Sequence, residues 1–396
     1  MTKTPTIRKE SVFALLLGLF AVTGAWLLEI STPSGLGLTD DAISYVAAAR
    51  ALLNGQGFVR IWLAGGPEPI THWPPLFPAL MATVGRILSL DPYRGARVVN
   101  ILVYGANTAL LGWLGWRMTR SYLAGIFLSI LFLSNNTFLR LHAYALSEPL
   151  YLFVSLLAFL AFAQYYEEEK NKWLIMAGIL TGLSYLTRYA ALSLLATFIV
   201  AIVILRPTWL KRFKSLAIFL AGSLPIMLAW MIRNKLIGGS ATNRAMEWHP
   251  VTADNIYRGI HSATRFIIPI NKWWWDLKSI SGFFELLLSI IALALLSWTA
   301  WFGLKYFLKS SQYSRPEIIP FTNGLYIFGY LGSLLFSISF FDAATPLIDR
   351  ILSPIYISLL LMLIVFFKWM WQRANTSGKS IIVSLAIFIL AISGVA

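Results

Sequence analysis

Residues 39–57 read TDDAISYVAAARALLNGQG, and residues 71–78 close the same stretch with THWPPLFP. Two adjacent carboxylates, Asp40 and Asp41, follow an apolar run at 12–30 that is long enough to cross a bilayer, where charge should be scarce. Thr39 is placed to cap a helix, and acids in a first turn suit the positive end of that helix. The helix is predicted to run through Tyr45 and Arg50 to Leu53, to stop at Asn54-Gly55 and to lie at the membrane surface. Capping alone explains first-turn acids in many helices. The rest of the chain gives this pair a second reading.

Composition sets the class. With 58% hydrophobic and 12% charged residues over 396 positions, the chain is not a soluble globular domain, in which charged residues run near a quarter. It reads as an all-α polytopic membrane protein. The absence of cysteine excludes disulfides, thiol nucleophiles and zinc-thiolate sites, so any metal must sit on histidine or carboxylate. The formal charge of +15 is to be read against the positive-inside rule before any polyanion is invoked, and no nucleic-acid partner is expected. Lys3, Arg8 and Lys9 precede the first apolar run, which is read as a retained span.

Eleven transmembrane helices are expected, near 12–30, 98–116, 121–138, 147–165, 173–187, 189–205, 215–233, 284–304, 318–340, 351–367 and 380–396. If the first runs outward, the basic clusters at Arg206–Lys214, Lys305–Arg315 and Lys368–Lys379 all fall on the cytoplasmic side. The turns at Arg117–Arg120 and Glu167–Lys172 do so too. Asp41, Glu148, the loop 234–283 and the loop Asp342–Arg350 then share the outer side. The apolar run from Pro75 to Leu90 is short, and counting it as a span would separate Glu148 from Asp41. It is therefore expected to be a re-entrant or interfacial helix, started by Pro74-Pro75. The chain is expected to form one transmembrane domain over 1–396, with a first extracytoplasmic loop at 31–97 carrying juxtamembrane helices. A large second loop at 234–283 follows, without a separate soluble domain.

All four histidines, His72, His142, His249 and His261, fall on the outer side, as do most acids. Ionisable groups at membrane depth are expensive and mark function. The run Trp273-Trp274-Trp275 suits interfacial anchoring more than a sugar site.

Five motifs in order carry a resemblance. They are Asp-Asp-x-x-x-Tyr-x-x-x-Ala-Arg-x-Leu-x-x-Gly-x-Gly at 40–57, Thr-His-Trp-Pro-Pro-Leu-Phe-Pro at 71–78, Ser-Glu-Pro-Leu at 147–150, Gly-x-x-Tyr-Leu-Thr-Arg-Tyr at 182–189 and Asp-Arg-Ile-Leu-x-Pro at 349–354. Together they resemble the GT-C glycosyltransferases, more narrowly glycosyltransferase family 39 and the aminoarabinose and protein mannosyltransferases. The resemblance implies a GT-C-like fold and transfer of a sugar from a polyprenyl-phosphate donor to a lipid, glycan or protein acceptor. The reaction is implied on the non-cytoplasmic face, most simply of a bacterial plasma membrane. It also implies that Asp41 is the catalytic aspartate, with Asp40 its neighbour, because that register matches Tyr45 and Arg50 as well. Glu148 takes the second acidic position, and Arg350 and Arg188 take basic positions, Arg350 facing the carrier phosphate. The family often places an acid and a lysine before the Pro-Pro pair, where this chain has His72 and Trp73. Neutral His72 is then the candidate ligand for a divalent metal (Mg, Mn or Zn), with His249 or His261.

The chemistry fits these residue types. An acceptor hydroxyl is a poor nucleophile, so a carboxylate must take its proton as the C–O bond forms. The leaving phosphate calls for cationic partners, for which Arg350, Arg188, Arg140 and Arg265 are candidates, and Tyr45 joins the substrate-binding set. Direct displacement inverts the anomeric carbon. The competing class is a transporter or flippase of lipid-linked sugars, which would gather its charges near the mid-plane instead. An oligosaccharyltransferase is less expected, since no large soluble C-terminal domain follows.

Overall fold

The structure is a computed structural model describing residues 9–61, 66–241, 246–267 and 318–395, with scattered positions between 287 and 301. The predicted span 284–304 and the Trp273–Trp275 run lie mostly or wholly outside the described residues. The described part is a helical bundle of α1 (Lys9–Ser31), α2 (Asp40–Leu53), α3 (Leu76–Leu88), α4 (Pro92–Thr119), α5 (Tyr122–Ser134), α6 (Asn136–His142), α7 (Glu148–Glu168), α8 (Asn171–Thr187), α9 (Ala191–Leu205), α10 (Trp209–Gly238), α11 (Ala253–Ile267), α12 (Ile318–Phe340), α13 (Asp349–Arg373) and α14 (Thr376–Val395). Seven of these are long and apolar enough to cross a membrane, or eight if the bent pair α5 and α6 counts as one span. The predicted spans at 173–187 and 189–205 form α8 and α9, which are 17 and 15 residues long.

Central α4 organises the bundle because its glycines admit neighbours at backbone distance. A Cβ on Gly95 would stand 2.6 Å from the Met81 carbonyl of α3, and one on Gly125 of α5 would stand 2.6 Å from the Gly112 carbonyl. By contrast α1 buries one stripe, Phe13, Leu17, Gly24 and Leu28, and exposes Leu15, Leu19, Val22 and Trp26. An apolar face of that length is stable in hydrocarbon and a liability in water.

The short helices follow their local signals. Thr39 caps α2, its side chain accepting from the Ala42 amide at 3.4 Å, and the helix ends at Asn54 with Gly55 at φ 74°. At 13 residues α3 is on the order of 20 Å long, too short for a hydrocarbon core of about 30 Å. Left-handed Ser89 ends it, and Asp91 caps α4 with Pro92 in the first turn, so α3 folds back along the start of α4.

One expectation changes. The run 121–138 is not one straight span, because the Asn135 side chain accepts from the Thr137 amide and starts α6 at 64° to α5. Within the all-α architecture one short hairpin adds to the helices: β1 (Val59–Ile61) and β2 (Pro67–Pro69) pair antiparallel. Arg233 of α10 holds this hairpin by donating to the Phe58 carbonyl at 3.2 Å and to the Ile70 carbonyl.

The bundle has two distinct ends. At one, Arg117 pairs with Glu167 at 2.9 Å, Lys368 donates to the Met118 carbonyl at 3.3 Å, and Arg206 lies over the rings of Tyr165 and Tyr166. At the other stand Asp41, Glu148, Arg188 and Arg350. The predicted alternation of sides requires this same grouping.

Candidate active site

Asp41 owes its direction to helix periodicity. On α2 the positions Asp41, Tyr45, Ala48 and Ala49 share the inward face, whereas Asp40 is exposed. The chain leading into α2 is fixed against the chain leading into α7 by a parallel bridge between Gly37 and Tyr144. The Gly37 amide donates to the Ala143 carbonyl at 2.8 Å, and the Ala145 amide donates back to Gly37 at 2.9 Å. A Cβ at Gly37 would stand 2.5 Å from the Tyr144 ring, so glycine is required for this approach. One turn beyond Asp41, the Tyr45 hydroxyl meets Ser147 Oγ at 3.1 Å, and Ser147 directly precedes Glu148. The two acids are thus placed by one shared piece of backbone and one shared hydrogen bond.

Around them two arginines complete a quartet. Arg350, in the first turn of α13, donates through Nη2 to Asp41 Oδ2 and through Nε to Glu148 Oε1. Arg188, in extended backbone where α8 gives way to α9, pairs with the same Glu148 Oε1. The Trp73 indole donates to Asp41 Oδ1 at 2.9 Å. Glu148 is 1% exposed, and its Oε2 has no hydrogen-bond partner among the described residues. The outer half is more open, with Arg350 at 24% and Asp41 at 27%. Burial pushes the Asp41 carboxyl upward, but the charge and hydrogen bond of Arg350, helped by the Trp73 N–H, outweigh it and hold the pKa below the ordinary aspartate value.

Helix α11 fixes the start of α13. Ser262 donates to the Asp349 carboxylate and lies 2.6 Å from the Tyr356 hydroxyl. Asn255 donates to the Thr345 carbonyl at 3.0 Å and accepts from the Leu347 amide at 2.7 Å. Sequence reading missed Gly37, Ser147, Asn255 and Ser262 as positioning residues. For Gly37 and Ser147, closeness to Asp41 and Glu148 was the available signal; for the other two there was none.

The structure therefore brings together Asp41, Glu148, Arg188 and Arg350. Tyr45 is 3% exposed with its hydroxyl on Ser147, which makes it a strut between α2 and α7 rather than an open substrate contact. Arg140 on α6 and Arg265 on α11 are exposed, and neither forms a hydrogen bond or ion pair with the quartet. The predicted histidine set is not assembled. His72 lies edge-on to Trp73 at 4.8 Å, His249 is 4.0 Å from Glu247, and His261 stacks on Tyr257. Among the described residues no three histidine or carboxylate side chains converge on one metal position. One oxygen of each carboxylate, Asp41 Oδ2 and Glu148 Oε1, is instead held by the cation of Arg350.

Comparison with known proteins bears on the fold that carries these residues. A family model described as dolichyl-phosphate-mannose-protein mannosyltransferase matches residues 71–234, the segment holding Trp73, Glu148 and Arg188. No curated protein sequence matches the chain. Among solved structures, ArnT from Cupriavidus metallidurans in the apo state superposes with a TM-score of 0.58 at 13% identity, over 93% of this chain and 62% of that one. The same protein bound to undecaprenyl phosphate gives 0.56 at 14% identity over the same shares. The archaeal oligosaccharyltransferase AglB from Archaeoglobus fulgidus, in complex with an inhibitory peptide and a dolichol-phosphate, gives 0.57 at 13% identity over 98% of this chain and 55% of that one. The chain thus spans less than two thirds of the length of these proteins. In its described residues the chain has the fold of the GT-C membrane glycosyltransferases.

Proposed function

We propose that this chain is an integral membrane glycosyltransferase that moves a glycosyl group from a polyprenyl-phosphate carrier to an acceptor hydroxyl at the extracytoplasmic surface. The observation that carries the reading is the quartet itself: two carboxylates and two arginines, half open to solvent, at one end of a GT-C bundle. The acceptor oxygen attacks the anomeric carbon and Asp41 takes its proton. The bond from that carbon to the phosphate oxygen breaks, and its electron pair stays on the phosphate. Arg350 and Arg188 meet the charge that develops there. No covalent enzyme intermediate is needed, so the anomeric configuration inverts. The carrier's tail remains in the bilayer while its phosphate reaches the interface, which suits a site at a bundle end.

Asp41 and Glu148, the carboxylates that would hold a divalent metal, already share the charge of Arg350. The orientation that supports this reading puts the N-terminus and the Arg117–Glu167 end in the cytoplasm.

The test is transfer from a panel of labelled polyprenyl-phosphate sugars in proteoliposomes, comparing the native chain with Asp41→Asn, with and without a chelator. Native transfer insensitive to the chelator is expected, with a loss of at least about a hundredfold in the variant. Movement of labelled lipid across the bilayer without any transfer would replace the enzyme by a transporter.

A further inference from the structure

We propose that Arg350 is an exchangeable counter-ion, releasing Asp41 as a base only when the donor's phosphate has arrived. The proposal rests on the glycosyltransferase reading and concerns the order of events within that site. Asp41 has a donor on each oxygen, Trp73 on Oδ1 and Arg350 on Oδ2, so its basicity is suppressed while both are in place. The two carboxylates differ in what remains when Arg350 leaves. Glu148 keeps Arg188 on the same oxygen, whereas Asp41 keeps the neutral indole N–H as its one side-chain donor and feels Arg188 only as a more distant charge. The exchange therefore has a direction: it uncovers Asp41 and leaves Glu148 compensated.

Exposure points the same way. Arg350 and Asp41 form the open half of the quartet at 24% and 27%, while Glu148 and Arg188 are 1% and 16% exposed. An anion approaching from the surface meets Arg350 before Arg188. The quartet sums to zero formal charge, and a phosphodiester brings one negative charge. Phosphate oxygens are strong, charge-assisted partners for guanidinium and compete directly with a carboxylate for the same N–H groups. When Nη2 of Arg350 passes from Asp41 to the phosphate, the charge that weakened Asp41 as a base neutralises the leaving group instead. No covalent bond changes in this step. Coupling is reciprocal, so removing the Asp41 charge must favour phosphate binding.

The experiment measures affinity of the detergent-purified full chain for a polyprenyl methyl phosphodiester, a probe with one phosphate charge and no sugar. The native chain is compared with Asp41→Asn, Asp41→Ala, Arg350→Gln and, at the far end of the bundle, Glu167→Gln. Both Asp41 variants are expected to bind on the order of tenfold tighter than native, because a competing acceptor for Arg350 has gone. Arg350→Gln is expected to bind at least about tenfold more weakly, and Glu167→Gln to match native. Either folded Asp41 variant suffices for the comparison. Native binding with equal or weaker binding in the Asp41 variants overturns the exchange and leaves the glycosyltransferase reading standing. No binding by the native chain or by any variant overturns both.

Discussion

At the end of the bundle away from the quartet, Arg117 on α4 pairs with Glu167 on α7, and Lys170 pairs with Glu168, each at 2.9 Å and each open to solvent on at least one side. At the other end, one arginine reaches two carboxylates that lie 309 and 202 positions from it in the chain. The first kind of pairing joins neighbouring helix ends, one carboxylate to one cation, with Glu167 and Glu168 30% and 29% exposed to screening water. The second draws four ionised groups from four places into a partly dry cluster, which is costly unless every charge is matched. Basic residues alone mark both ends. The sharing of one arginine and the burial of Glu148 distinguish the end where chemistry is proposed.

Removing one carboxylate at each end should break this comparison most sharply. Glu148→Gln leaves Arg188 buried without its anion, and losing one partner of a buried pair costs about 3–5 kcal/mol. Glu167→Gln removes a partner that is 30% exposed and leaves Arg117 the Gln164 side-chain oxygen as acceptor, so it should cost less, about 1 kcal/mol. Thermal unfolding of both variants in one detergent reads the difference. Equal shifts would mean that the quartet is no more buried, energetically, than the opposite end.

How much of this was legible depended on whether the cause was local. Thr39, the two acids and Asn54-Gly55 delimit α2 because capping acts over a few residues, and the structure returns the same boundaries. The break at Asn135 was hidden because Phe138 and Leu139 continue the apolar run beyond it. The hairpin was hidden because its strands are three residues each, and one holds Pro67 and Pro69, which argue against a strand. At the site, the types and identities of Asp41, Glu148, Arg188 and Arg350 were readable from motifs. Their pairing was not, because contacts across hundreds of positions leave no mark in spacing. The histidine set is unassembled for the same reason: His72, His249 and His261 share a side in sequence, but among the described residues they form no three-ligand group in space. Trp73 read only as a departure from a pattern, while in the fold it is a hydrogen-bond donor to Asp41.

That donor sharpens the comparison within the quartet, between the neutral and the cationic partner of one carboxylate. Trp73→Phe keeps the ring and removes the N–H. Asp41 sits below its ordinary pKa with Trp73 contributing to the lowering, so losing the bond raises it. A base works only when ionised, so activity falls as pH drops through that pKa, and the acid limb of kcat/KM should move to higher pH by on the order of half a unit to one unit. An unmoved limb with a lower plateau would make Trp73 a packing residue alone.

The smallest effect is expected from an arginine that motif matching also singled out. Arg50 meets Asp91 through two bonds, Nε to Oδ2 at 2.9 Å and Nη2 to Oδ1 at 3.1 Å, with side chains 56% and 41% exposed. Asp91 also accepts from the Tyr93 amide at 2.9 Å as the cap of α4, so it keeps a task without Arg50. The hydrogen bond from Arg50 holds the Asp91 carboxyl below its ordinary value, and that stability is present above the unfolded pKa of about 4 and lost as pH falls through the lower folded value. Arg50→Gln should therefore cost about 1 kcal/mol or less at neutral pH, the deficit should shrink below about pH 4, and transfer should be unchanged. Arg50 and Arg350 both bind an aspartate, and the difference between them is what surrounds the pair. If Arg50→Gln abolished transfer while the fold held, exposure would be a poor guide to which arginines the site uses, and the contrast between the two pairs would lose its meaning.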